Sequence, residues 1–441
     1  MSINIRQEPT TPNQAHADLL YLLSSTNSNE PQFQFVMEVG DGTDTYTFKQ
    51  QPNPNDRAVF DMGQVASDFL GNDAPFKTEY ITKNNNAATT LSTVFYEEYG
   101  TSTTSSVARY NGVSGSSVYV LDGVVELSSD DWNFASASYY TSSVTPTGGA
   151  GNFSLQHGLT NCPHTQSVRN DEYSTLSIIN GNFDDSDLNA QDIYYIQVNV
   201  YNEAGSNIQN FGWYNIGPNG GGPRATSAAQ EWTNGGVYNA QDDTTRLIHV
   251  ATGPKNFEDQ GNTLNSNWAS YKVTLMGQES AGTEDSSAVY AEKWFTKSDG
   301  ECGYSGTRFA FLNELGGYDY YSFDLADTKQ DNITRETYDQ TFVNYTAGGA
   351  SVPFNKSRRG SKIFSISYEE TRAAESNYLT QAQADWLREL IESPNVFIQE
   401  GTDFLPVVIT NSNFTYKTNP RSQKLYTLSI QYKMSNQRRS R

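Results

Sequence analysis

The sequence predicts a mainly β protein: sandwich- or barrel-like modules in series, with two or three short packing helices. Three observations carry this. Apolar residues alternate with polar ones at a period of two, the signature of half-buried strands. Of the 441 residues, 13% are aromatic, with 28 Tyr and 22 Phe, and only 18% are charged, a balance that suits a pleated, folded surface and not a disordered chain. Gly-, Asn-, Asp- and Ser-rich punctuation such as GDGTD, YNGVSGSS and GPNGGGP separates the alternating runs.

In chain order, Phe33, Phe35, Met37 and Val39 share one face of the first clear strand. A short helix follows, with Asp61 as cap, Gln64 as its capping-box partner, and a stripe of Met62, Val65, Ala66 and Phe69. Tyr194, Ile196, Val198 and Val200 line another strand face, opposite Gln197 and Asn199. Phe364, Ile366 and Tyr368 repeat the pattern. A second helix over about 380–393 starts at Thr380 with Gln383 in the matching position. It carries Trp386, Leu387, Leu390 and Ile391, and ends at Ser393-Pro394. Tyr426, Leu428, Ile430 and Tyr432 form the last strand face, with Thr427, Ser429 and Gln431 pointing out. A Ser/Thr/Gly-rich stretch at Thr141–Gly151 and a second break near Gly282–Ser287 divide the chain into modules 1–145, 146–285 and 286–441. No strict internal repeat is present, which argues against a solenoid or propeller.

The net charge of −21 disfavours direct nucleic-acid binding. The charge is uneven: after residue 355 the chain holds 13 Lys+Arg against 8 Asp+Glu, a local +5 against −26 for the rest. An acidic body with a basic tail suits docking between identical subunits or onto another component; a solvated surface with a basic terminus gives the same pattern. The N-terminal MSINIRQEPTTPNQ has no signal-peptide character, and no run approaches the roughly 18 apolar residues of a membrane span. Cys162 and Cys302 are too few for a disulfide framework.

Chemistry-bearing motifs are incomplete. His157 and His164 flank Cys162 in QHGLTNCPH, but no orienting third group or further metal ligand stands at workable spacing, so a loop with a buried thiol is expected. Asp185, Asp187 and Asn189 open like a calcium loop that fails at Ala190 and Ile196, where Gly and Glu are needed. Gly217–Pro223 lacks the Lys-Ser/Thr and helix of a phosphate cradle. No catalytic, cofactor or metal residues are expected, and the chain is expected not to be an enzyme.

Several segments resemble, in order, β-rich virion proteins of tailed bacteriophages infecting Bacteroidota and marine hosts. They are PQFQFVMEV with QPNPNDRAVFDMGQVASDFL; HVATGP with ASYKVTL; CGYSGTRFAFLNELGGYDYYSFDLADTKQDNITRETYDQTF; and WLRELIESPNVFIQEGTDFLPVVITNSNF. The resemblance implies a tail, baseplate or connector-ring protein, as in crAss-like phages, made in the host cytoplasm and assembled with itself and other virion proteins. The rival expectations are a receptor- or carbohydrate-binding module on the virion, or a tailspike-like glycan hydrolase, though the long repetitive β-helix sequence of a tailspike is absent.

Within the third segment, Gly316 and Gly317 allow a sharp turn after Leu315, and Asn313 and Asp319 can cap backbone groups around it. Phe309, Phe311, Tyr318, Tyr320 and Phe323 supply a core or an intersubunit seam, the core being favoured. Basic groups at strand ends, Arg358, Arg359 and Lys362, then Arg438, Arg439 and Arg441, are the expected interface residues.

Overall fold

A computed structural model describes residues 3–9, 11, 13–71, 81–83, 87–123, 158–179, 195–214, 229–231, 247–280, 283–298, 306–325, 327–339, 360–411 and 427–436. The fold is mainly β; among the described residues 56% are strand and 8% helix, in five sheets, none of them closed into a barrel. The chain divides into two compact units. The first comprises Met1–Asp299 and Phe311–Tyr320, the second Gly300–Ala310 and Tyr321–Arg441.

The first unit holds two sandwiches. In one, a three-stranded sheet of β1 (Ile3–Gln7), β3 (Leu20–Ser25) and β6 (Arg57–Asp61) packs on a second sheet. That sheet contains β2 (Asn13–Gln14), β10 (Val118–Leu121), β8 (Ala88–Tyr99), β4 (Gln34–Gly40), β5 (Thr45–Gln50) and β9 (Ala108–Ser114). Phe35, Met37 and Val39 lie fully buried on one β4 face, as the alternation requires, against Tyr21, Leu23, Phe60 and Phe95. The other sandwich sets β12 (Thr175–Ile179), β16 (Leu247–Ala251) and β7 (Ile81–Lys83) against a six-stranded sheet. The latter runs β11 (Thr165–Val168), β18 (Thr283–Lys297), β17 (Ser270–Ser280), β13 (Tyr195–Tyr201), β14 (Asn207–Tyr214) and β15 (Ala229–Glu231). Ile196, Val198 and Val200 of β13 join Trp213, Phe257, Tyr271 and Phe295 in its core.

A seven-stranded sheet, most of it in the second unit, runs in the order β20 (Tyr318–Phe323), β19 (Thr307–Leu312), β23 (Val396–Glu400), β24 (Asp403–Ile409), β25 (Ser429–Met434), β22 (Ser361–Glu375) and β21 (Asp327–Asp339). Phe309 packs edge-on to Phe323 and Tyr432 at 5.1 and 5.2 Å between ring centres. Leu428, Ile430 and Tyr432 are buried while Thr427, Ser429 and Gln431 face out.

Helices are short. Thr380 and Gln383 form the full reciprocal capping box at the start of α3 (Gln381–Trp386), which breaks at Leu387 into α4 (Arg388–Glu392). Trp386 meets Tyr321 edge-on at 5.8 Å, fixing α3 to the sheet. At α1 (Gly63–Ala66) the expected cap is corrected. Asp61 ends strand β6, and its carboxylate accepts from the Gly63 and Leu19 N–H groups, while Met62 occupies the cap position. The Gln64 side chain lies outside the description. A further helix, α2 (Pro254–Asp259), was not foreseen, although Pro at its first turn and Gly261 after its end are helix punctuation.

The expected break near 282–287 falls on a strand: residues 283–287 belong to β18, whose pairing with β17 continues to Ser280 and Thr283, while Gly282 lies outside the described residues. Turn chemistry reads the same in a hairpin as in a linker. The first unit also takes in Phe311–Tyr320, so a break at 285/286 does not describe it. The Thr141–Gly151 stretch lies outside the described residues.

Far-UV circular dichroism of the purified chain is expected to be sheet-dominated. Helix at or above roughly one third, the level typical of globular proteins, contradicts this architecture.

Candidate functional site

The densest concentration of chemistry-bearing side chains is a buried polar knot in the first unit. It is centred on the turn Asn313–Asp319, the most distinctive segment of the sequence. Gly316 sits at φ +86°, and a Cβ there would collide with the Asp122 carbonyl oxygen. A Cβ on Gly317 would strike the Leu159 carbonyl. Asn313 holds the turn closed. Its Oδ1 accepts from the Leu315 and Gly317 N–H groups at 3.1 and 2.8 Å, and its Nδ2 donates to the Leu159 carbonyl at 2.7 Å. Leu315 enters an apolar cluster with Tyr119, Leu121, Leu159 and Leu247. Asp319 has another role than capping: its Oδ1 accepts from Thr160 Oγ1 at 2.5 Å. The same Thr160 oxygen accepts from the Cys162 N–H at 3.0 Å.

Around this turn converge side chains from four directions. Gln14, at the end of β2, donates to the Glu314 carbonyl at 2.7 Å, and Asn161 bonds the Glu314 carboxylate. Ser177 of β12 accepts from the Tyr318 N–H at 3.1 Å and shares a 2.8 Å hydrogen bond with His249 Nδ1 of β16. Thr175 meets the Tyr320 hydroxyl at 2.8 Å. Lys293 of β18 donates to the Pro163 carbonyl at 2.7 Å and to the Cys162 sulfur.

A Ser–His contact and a Lys–Cys contact are the raw materials of nucleophilic catalysis. Here Ser177, His249 and Lys293 are buried and Cys162 is half-buried. Ser177 and His249 are each 1% exposed, so no face is open to a substrate. Burial drives the His249 pKa down to about 3, leaving the imidazole neutral. Burial likewise lifts the Cys162 thiol to about 11, with the Asp319 carboxylate adding to the rise and Lys293 opposing it. A protonated thiol is neither a nucleophile nor a metal ligand.

His164 is exposed, and its backbone carbonyl accepts from the Trp294 N–H. His157, Cys302, the Asp185–Ala190 turn and the Gly217–Pro223 loop lie outside the described residues. Among the described residues no group of three or more His, Cys, Asp or Glu is placed to hold a metal ion, and no helix is long and apolar enough to cross a membrane. Lys362 is exposed on β22 opposite Tyr338. The other five interface candidates, Arg358, Arg359, Arg438, Arg439 and Arg441, lie outside the described residues.

A surface cavity of about 560 Å³ lies between Asn202, Glu203, Ser266, Asn267, Trp268 and Lys297. Trp268 is only 3% exposed. Its indole N–H is held by Asn170 at 2.7 Å, Tyr271 packs against the ring, and the Lys297 ammonium lies 6.0 Å from its centre. The ring offers no open platform for sugar stacking.

Sequence reading found Asn313, the two glycines and the buried aromatics. It missed Gln14, Thr160, Ser177, His249 and Lys293. Ser177 and His249 carried a weak signal: each is a lone polar residue in a short apolar strand, TLSII and LIHVA, and such a residue needs a buried partner.

Asn313→Ala removes three hydrogen bonds from a buried turn and is expected to lower stability by about 3 kcal/mol in urea unfolding. A loss below about 1 kcal/mol contradicts its role as the turn's brace. His249 gives a pH signature. Its folded pKa lies below the ordinary 6.5, so the unfolded chain takes up the proton first. The contribution is intact above pH 6.5 and is lost as pH falls from there towards 3, at about 1.4 kcal/mol per pH unit. Between pH 7 and pH 5 the wild type should therefore lose about 2 kcal/mol more than His249→Asn; equal losses contradict a neutral buried imidazole.

No protein-family model matches this chain and no curated protein matches it; the knot is defined by its own geometry.

Proposed function

We propose that this chain is a structural component of a tailed-phage virion, made in the bacterial cytoplasm. It would assemble by self-association and docking into a tail, baseplate or connector ring. Four segments, in order, resemble such proteins, and the architecture of serial sandwiches suits a part whose work is to hold shape. The observation that carries the reading is the use made of the most distinctive segment. Asn313–Asp319 is spent on bracing a buried turn, and Ser177, His249 and Lys293 around it are buried and hydrogen-bonded within the fold. An enzyme would aim such groups into a cleft. The carbohydrate-binding alternative would need an accessible aromatic face, which Trp268 does not present.

The purified chain is expected to form a defined closed oligomer, seen as one discrete mass by light scattering and as a ring or collar in electron micrographs. Antibodies against it should label purified particles. A chain that stays monomeric at every concentration and is absent from particles contradicts the assignment.

A further inference from the structure

The knot contains one pairing that the bracing of the turn does not require. Lys293 of β18 is 5% exposed, and its ammonium donates to the Pro163 carbonyl at 2.7 Å and to the Cys162 sulfur. Among the described residues no carboxylate stands within ion-pair distance of it. A buried ammonium is ordinarily matched by a carboxylate, because a charge taken out of water is costly unless paired. Here the match is a cysteine.

The two atoms are held together from several sides. β11 runs parallel to β18 with Thr165 beside Trp294, and the Trp294 N–H donates to the His164 carbonyl at 3.2 Å. On its other edge β18 pairs with β17, Val273 opposite Lys293. The Cys162 N–H donates to Thr160 Oγ1 at 3.0 Å, and that hydroxyl is anchored in turn on Asp319. A sulfur and a nitrogen from residues 131 apart in the chain are thus kept in contact by the backbone on both sides.

Access differs between the two partners. Lys293 is buried, whereas Asn161, Cys162 and Pro163 are half-buried and His164 is exposed. The segment that carries the sulfur is therefore at the surface, within reach of a peroxide, a molecule little larger than water.

We propose that Cys162 and Lys293 are a modification site at which a peroxide joins sulfur and nitrogen in a covalent cross-link that a thiol reductant reverses. The sulfur first attacks the peroxide, whose O–O bond breaks; the sulfur gives up two electrons and becomes a sulfenic acid, and one water leaves. A sulfenic acid ordinarily awaits a second thiol, but here an amine already lies against it. The Lys293 nitrogen attacks the sulfenic sulfur and expels the hydroxyl as a second water, releasing its surplus proton. The balance is Cys–SH + H2O2 + Lys–NH3+ → Cys–S–NH–Lys + 2 H2O + H+. Burial pushes the thiol up to about 11, so only the small thiolate fraction attacks and the reaction is slow at neutral pH. The bond therefore suits a chain that has left a reducing cytoplasm. It fastens the segment 158–164, and with it the turn that Asn313 braces through Leu159, to β18. The cross-link stands apart from the assembly reading, which survives its failure.

The test treats the full chain with excess hydrogen peroxide, alongside Cys162→Ser and Lys293→Arg, and maps the peptides by mass spectrometry. The wild-type peptides carrying Cys162 and Lys293 should be recovered joined, about 2 Da lighter than their sum. A pair about 14 Da heavier, in which a second peroxide has left one oxygen between nitrogen and sulfur and departed as water, equally supports the link. Dithiothreitol should release both peptides. The treated wild type should unfold at a urea concentration higher by at least about 0.5 M, because the link restricts the unfolded chain, and neither variant should show the rise. Should a variant misfold, the wild-type peptide map decides. Cys162 oxidised alone to a sulfinic or sulfonic acid, a disulfide to Cys302, or a thiol that survives the treatment overturns the proposal.

Discussion

The first unit depends on a buried turn that must satisfy its own backbone. Asn313–Asp319 lies among Leu121, Leu159 and Leu247, where an unpaired N–H or C=O costs roughly 1–3 kcal/mol. The carboxamide of Asn313 answers three of these groups at once, and two glycines let the neighbouring Asp122 and Leu159 carbonyls come closer than any side chain would permit. Partners far apart in sequence, Gln14 and Glu314 among them at 300 residues, are thereby tied to one point. Loop-closure entropy makes such contacts expensive to form, so they persist only where several are made together.

This constraint also accounts for the unreactive state of residues that elsewhere do chemistry. Ser177 and His249 meet because the turn needs a hydroxyl for the Tyr318 N–H and the hydroxyl needs a partner in turn. Lys293 reaches the Pro163 carbonyl and the Cys162 sulfur from a neighbouring strand. Desolvation then holds the imidazole and the thiol in their neutral forms. A pair of groups at bonding distance is evidence of catalysis only where a substrate can reach it, and Ser177 and His249 are buried.

The second unit shows the opposite arrangement. Its aromatic interior around Phe309, Phe323 and Tyr432 is closed, while the β21–β22 ribbon holds Phe364 and Ile363 in solvent. A two-stranded ribbon of this kind is marginally stable in water by itself.

What the sequence determined by itself is what local physics determines. Period-two alternation placed the buried faces of β4, β13 and β25; the Thr380–Gln383 box placed the start of α3; Asn313 with Gly316 and Gly317 announced a tight turn. Each of these signals lies within a few residues, where sterics and hydrogen bonding act without help from the rest of the chain. The tertiary structure alone decided the remainder. It brought Thr160, Ser177, His249 and Lys293 to one turn, because hydrogen-bond partners across sheets leave no mark in spacing. It made 283–287 part of a strand, because polar residues read the same in a hairpin as in a linker. It also left Phe364 exposed and Ile366 and Tyr368 half-buried, because alternation fixes which residues share a face, and only the packing of other elements decides how far that face is covered.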